Sequence, residues 1–125
     1  LGAILLSIKP EYVNRIIEGT KKYEYRRRIA KKKIDLIVIY CTHPIMKIVA
    51  TVEIKGIVYA APSTLWEQTK SAAGISRKKY REYFKNCKVA YAYKLGKVSV
   101  YDVPKDLKDF NLSFAPQSFV YVDNE

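Results

Sequence analysis

Apolar residues fall in short clusters separated by charged or turn-forming residues, and the spacing within each cluster assigns most of the chain to strands and short helices. Ala3 to Ile8 is an apolar run of strand length. Pro10 then stands in the first turn of a helix, where its missing N–H costs nothing, and Tyr12, Val13, Ile16 and Ile17 fall on one face. Gly19 ends that helix as its C-cap residue. The period then changes to two. Across Lys22 to Arg27, side chains alternate so that Lys22, Glu24 and Arg26 point one way while Tyr23, Tyr25 and Arg27 point the other. The basic segment Arg27 to Lys33 is predicted to be a solvated loop. Ile34 to Tyr40, bounded by Pro44, has the nearly continuous apolar character of a central strand.

Lys47 to Ala60 sets Ile48, Ala50, Val52 and Ile54 against Val49, Thr51, Glu53 and Lys55, with Gly56 marking a bulge or bend. Pro62, Ser63 and Thr64 open a helix with a capping box from Thr64 to Glu67, which Gly74 closes. A second short helix starts at Ser76 and carries Arg77, Lys78, Lys79 and Arg81 beside Tyr80, Tyr83 and Phe84. Val89 to Val103 returns to strand character with a turn at Gly96, Pro104 to Phe110 reads as a linker, and Gln117 to Val122 is a last strand. Strands grouped around two inserted helices predict an α+β fold, a small mixed β-barrel flanked by short helices, in a single domain over residues 1–125.

Charge narrows the function. Lys and Arg number 23 against 12 acids, a net charge of +11 that suits a polyanionic partner, nucleic acid or an anionic membrane surface. No apolar run approaches the roughly 20 residues of a membrane span, so a soluble, cytoplasmic protein is expected. Cys41 and Cys87 sit in apolar or strand-like stretches where reduced thiols are commoner than a disulfide. Cys41 and the sole histidine, His43, fall short of a metal ligand set, and no metal or cofactor is expected. There is no Gly-rich phosphate loop, no dinucleotide fingerprint and no Ser-His-Asp ordering. Of the eleven tyrosines, Tyr91, Tyr93, Tyr101 and Tyr121 lie at strand spacing and read as core or cross-strand partners. Trp66 reads as a core anchor.

The charged strand is the leading functional candidate, because an acid set between two bases in a cleft is costly unless paired, and a paired set usually has a task. Four pieces of the chain carry a resemblance: Leu5-Leu6-Ser7-Ile8-Lys9-Pro10; the spaced signature Gly19, Lys21, Glu24, Arg26; Tyr40-Cys41-Thr42-His43-Pro44; and Pro116-Gln117-Ser118-Phe119. In this order they resemble the ASCH domain family, a branch of the PUA-like barrel superfamily. The resemblance implies a cleft between the first helix, the signature strand and the central strands, and a role in RNA binding or, in some branches, chemistry on RNA or modified nucleosides. It places Ser7, Lys9, Lys21, Glu24, Arg26, Tyr40, Thr42, Gln117 and Ser118 at that cleft. Within it Lys21 reaches a phosphate or carbonyl oxygen, Arg26 offers a planar fork and Glu24 accepts from an amine or hydroxyl. Arg27 and Arg28 open the basic loop and are expected on phosphates.

Three functions compete. A nucleic-acid-binding module, most naturally for single-stranded RNA or a modified nucleotide and acting as a monomer, accounts for charge, aromatics and motif together. An enzyme, a metal-independent deacylase or ribonuclease, would use Lys21 and Glu24 as the catalytic pair, since burial beside Arg26 lowers a lysine pKa toward neutrality. The deacylating branch of the family carries a Lys, Thr and Glu trio. Here Glu24 stands where that branch has its threonine, and Ala72-Ala73-Gly74 occupies the stretch that holds its acid. The third possibility is a regulatory protein-interaction domain of a larger polypeptide, which a start at Leu1 rather than methionine would suit.

Overall fold

The computed structural model describes residues 2–123. Its elements run β1 (Gly2–Ile8), α1 (Pro10–Glu18), β2 (Tyr23–Arg26), β3 (Ile34–Cys41), β4 (Lys47–Ala60), α2 (Pro62–Thr69), α3 (Arg77–Tyr83), β5 (Ala90–Lys105) and β6 (Phe119–Val122), with short 3-10 turns at Lys70–Ala72 and Leu107–Phe110. The strands form one sheet in the order β2-β5-β4-β3-β1-β6. β1 runs parallel to β3 and every other pair is antiparallel.

The α+β class is as expected; the six strands form a sheet that does not close, with β2 and β6 at its ends, so the expected barrel is not confirmed. β2 has only four residues, hemmed in by the Gly19 turn and the basic loop, and pairs with β5 alone. Phenols hold that loop instead of a further ladder. Ala30 N–H donates to Tyr93 Oη at 2.9 Å, and the N–H groups of Lys31 and Lys32 both donate to Tyr121 Oη at 3.1 Å. The loop is therefore pinned along its backbone while Lys31, Lys32 and Lys33 remain exposed.

Apolar side chains cover both faces of the sheet. Ile4, Leu6 and Ile8 of β1 join Ile37, Ile39, Val52 and Tyr93 under Val13 and Ile16 of α1. Ala3 and Leu5 point the other way, to Val38, Tyr40 and Ile48 beneath Leu107, Phe110 and Leu112. Since burying one Leu or Ile contributes about 1.5–3 kcal/mol, two-sided burial makes β1 and β3 the anchor of the sheet. A third cluster, Tyr25, Leu65, Tyr80, Phe84, Ala90 and Ala92, seats α2 and α3 against β2 and β5.

Three local expectations change. α2 starts at Pro62 with Ala61 before it and no side-chain cap, because proline takes the first helical position and leaves Thr64 inside the helix. β5 passes straight through Gly96, where a Cβ would stand 2.8 Å from Lys55 Cγ. That glycine admits the neighbouring strand and makes no turn. Ile17 is 41% exposed, leaving Val13 and Ile16 as the buried face of α1. Ser76 does cap α3, its Oγ accepting from Lys79 N–H, and the β4 register does slip beside Gly56.

Candidate nucleic-acid site

The Gly19 turn delivers the signature residues. With φ +88°, Gly19 ends α1 in the left-handed conformation, and the Arg15 carbonyl accepts from the N–H groups of Gly19, Thr20 and Lys21 at 3.0–3.1 Å. This winds the chain back against Ala73 and Gly74, and Lys22 N–H donates to the Ala72 carbonyl. Lys21 is thereby buried, only 4% exposed. Its Nζ donates to the Ala73 carbonyl at 2.8 Å and lies 4.9 Å and 5.3 Å from the rings of Tyr25 and Tyr12. Burial lowers its pKa from the ordinary lysine value; Glu24 opposes that shift, whereas Arg26 and Arg15 reinforce it. Gly74 is required here. It has φ +62°, and a Cβ on it would fall 2.3 Å from Lys21 Cβ.

Glu24 and Arg26 project from β2 as a nearly buried pair, their side chains 8% and 15% exposed. Arg26 Nε and Nη2 converge on one carboxylate oxygen, Glu24 Oε2, at 3.1 and 2.9 Å, and Nη2 also donates to the Ser7 carbonyl at 3.0 Å. Among the described residues no hydrogen bond engages Glu24 Oε1, and no buried polar side-chain atom lacks a partner, so Oε1 keeps access to the cavity. Tyr25 backs the site. Its hydroxyl lies 2.6 Å from Thr69 Oγ1, which itself donates to the Leu65 carbonyl, and burial raises the phenol pKa to about 12.

These groups border a cavity of about 490 Å³. β1 and its exit supply Ser7, Ile8 and Lys9, α1 supplies Tyr12, β2 and its approach supply Lys21, Glu24, Tyr25 and Arg26, and the α3 region supplies Ile75, Lys79, Glu82 and Tyr83. Arg27 is exposed beside the rim, its guanidinium carbon 4.2 Å from the Tyr83 ring centre and its Nε donating to the Tyr83 carbonyl at 2.8 Å.

The structure thus brings together Ser7, Lys9, Lys21, Glu24 and Arg26 of the expected set, with Arg27 at the margin. The others lie apart from this cavity. Tyr40 alternates onto the opposite face of the sheet and is buried with Ile48. Thr42 follows β3, its N–H bonded to the Ile8 carbonyl. Gln117 and Ser118 are exposed before β6, Arg28 points to solvent, and Lys22 lies outside the lining. Ser7 contributes its carbonyl, because its hydroxyl turns away to donate to the Pro116 carbonyl. Of the inner strands only β1 reaches the cavity lining, and α3 supplies the facing wall that the sequence did not predict. The spacing of Lys79, Glu82 and Tyr83, three and four residues apart, was the available signal, since such residues share a helix face. Tyr12 was legible only as part of the apolar face of α1.

Both cysteines are free, no group of three or more His, Cys, Asp or Glu is placed to hold a metal among the described residues, and no helix there is long and apolar enough to cross a membrane.

The six-stranded sheet with its flanking short helices is a small α+β domain with the PUA-like fold. The chain belongs to the ASCH domain family, whose model matches residues 6–99. It is 33% identical over 92 residues to an ASCH domain-containing ribonuclease of Zymomonas mobilis, covering 73% of this chain and 62% of that protein. It is also 31% identical over 120 residues to a protein named ATP synthase subunit alpha of Ureaplasma parvum, covering 95% of this chain and 15% of the relative. The chain therefore spans less than two thirds of either curated relative. The crystal structure of ASCH from Zymomonas mobilis superposes with a TM-score of 0.88 at 29% identity, covering 97% of this chain and 87% of that one.

Proposed function

We propose that the protein binds single-stranded RNA, with a nucleotide seated in the cavity between α1, β2 and α3. The observation that carries this reading is the juxtaposition of Glu24 Oε1, an open acceptor, with the Arg26 guanidinium beneath a rim bearing Lys9, Lys79 and Arg27. The acceptor suits an exocyclic amine or a ribose hydroxyl. The rim cations suit phosphates, Tyr83 and Tyr12 offer aromatic faces, and the net charge of +11 steers a polyanion toward the surface.

Fluorescence anisotropy of a labelled single-stranded RNA at about 50 and 200 mM salt tests this directly. Affinity is expected to fall steeply with salt and to drop at least tenfold in Lys9→Ser/Lys79→Ser, two exposed positions whose loss leaves the core intact. Unchanged affinity in that folded variant would overturn the cavity as the RNA site.

Hydrolysis of RNA is the second reading, favoured by the buried amine of Lys21 with its lowered pKa beside Glu24 and by likeness to a relative named as a ribonuclease. Its test is shortening of end-labelled RNA by the purified protein and the loss of that shortening in Lys21→Met. Intact RNA after prolonged incubation at saturating protein would leave binding alone.

A further inference from the structure

A second cavity, about 480 Å³, lies on the other side of α3, between that helix and α2. Tyr80 and Phe84, both 2% exposed, form its floor, and the Tyr80 hydroxyl is fixed by donating to the Pro62 carbonyl at 2.7 Å. Trp66 stands half-buried at the wall, its ring 4.8 Å from that of Tyr80. Arg77 and Arg81 are exposed at the border, one helical turn apart and hence side by side. One acid, Glu67, faces them. Lys70 already pairs with it at 2.7 Å and, with a smaller contribution from Arg77, holds its carboxyl below the usual range.

At 100° per residue, Arg77, Tyr80, Arg81 and Phe84 project to one side of α3, while Lys79, Glu82 and Tyr83 project to the other. One short helix is therefore the shared wall of two cavities of nearly equal size, each with an aromatic face and cations at its rim. The half-buried Trp66 ring, with paired arginines at the border, matches the needs of a stacked base and its flanking phosphates.

We propose that the groove between α2 and α3 is a second nucleotide subsite, so that one RNA strand crosses α3 with a base against Trp66 and its phosphate on Arg77 and Arg81. This extends the RNA reading of the first cavity and rests on it.

Trp66 is the sole tryptophan, so its emission reports on this groove alone. The experiment titrates the protein with an oligouridylate of about ten nucleotides, within the range that single-strand grooves occupy, and follows two signals: anisotropy of an end label and Trp66 emission. The same titration is run on Arg77→Ser/Arg81→Ser and with inorganic polyphosphate, which carries charge without bases. Expected results are quenching of Trp66 in step with the anisotropy rise, no matching quench by polyphosphate, and in the double variant a tenfold or greater loss of affinity together with loss of the quench. If anisotropy reports binding that Lys9→Ser/Lys79→Ser weakens, while Trp66 is unmoved and the arginine variant binds normally, the second subsite is wrong and the first cavity stands. Equal quenching by polyphosphate also overturns it. Absence of any RNA binding removes both.

Discussion

Replacing Arg26 with alanine is expected to destabilise the fold far more than a surface ion-pair deletion would, because the partner it leaves behind is buried. Glu24 is only 6% exposed, and the guanidinium supplies both hydrogen bonds to its Oε2. Breaking a buried pair typically costs about 3–5 kcal/mol, against about 0–1 kcal/mol for an exposed one. The nearby Lys21 amine partly shields the orphaned carboxylate, which places the expected loss near the lower figure, about 3 kcal/mol. Loss of the bond to the Ser7 carbonyl acts in the same direction. Removing both charges in Glu24→Gln/Arg26→Gln leaves neutral amides of similar length that can still bond to each other, so the double variant should be more stable than Arg26→Ala. Urea unfolding of wild type, Arg26→Ala, the matched singles Glu24→Gln and Arg26→Gln, and the double variant measures this. With m of about 1–3 kcal/mol per M, a loss of about 3 kcal/mol moves the midpoint by roughly 1–3 M. A loss below about 1 kcal/mol in Arg26→Ala, or single effects that simply add, would refute the idea that the pair is coupled and desolvated.

Gly74→Ala should cost more than about 2 kcal/mol in thermal or urea unfolding, since a Cβ 2.3 Å from Lys21 Cβ meets backbone-anchored atoms at a φ of +62°. Tyr25 gives a pH signature. Its folded pKa of about 12 lies above the ordinary 10.0, so the folded state holds the proton longer and the contribution, full below pH 10, is lost as pH climbs toward 12. Tyr25→Phe should flatten that part of the stability profile, and an unchanged slope would contradict the shift. Arg27→Ala should leave stability within about 1 kcal/mol, its guanidinium being exposed on Tyr83, yet reduce the salt slope of RNA binding by about one. A stability loss with an unchanged slope would make Arg27 a packing residue instead.

Features governed by local chemistry were legible in the sequence. Pro10 and Gly19 bracket α1 as expected, Ser76 caps α3, and the Lys21, Glu24, Arg26 spacing led to the two charged groups buried at the site. What could not be read depends on partners distant along the chain. Tyr40 and Ser7 were set beside the cavity by motif order, but strand alternation turns the Tyr40 ring and the Ser7 hydroxyl toward the opposite face. α3 became a cavity wall only because Tyr80 and Phe84 pack on Tyr25, a contact between residues more than fifty positions apart. Gly96 resembled a turn because its real constraint, Lys55 on the adjacent strand, has no local signature.

Two phenols hold the basic loop at different depths: Tyr93 takes the Ala30 N–H within the core, while Tyr121, 38% exposed, takes those of Lys31 and Lys32 along a seam at the surface. Such a seam can part without breaking a ladder. The amides of Lys31 and Lys32 should therefore exchange with solvent deuterium through brief local excursions, well ahead of the buried Ala30 amide and of the β1 and β3 amides that wait for global unfolding. A polyanion arriving at Lys31 and Lys32 would meet cations whose backbone is already aligned, and the Tyr121 part of the latch can be released while the buried Ala30–Tyr93 bond stays in the core.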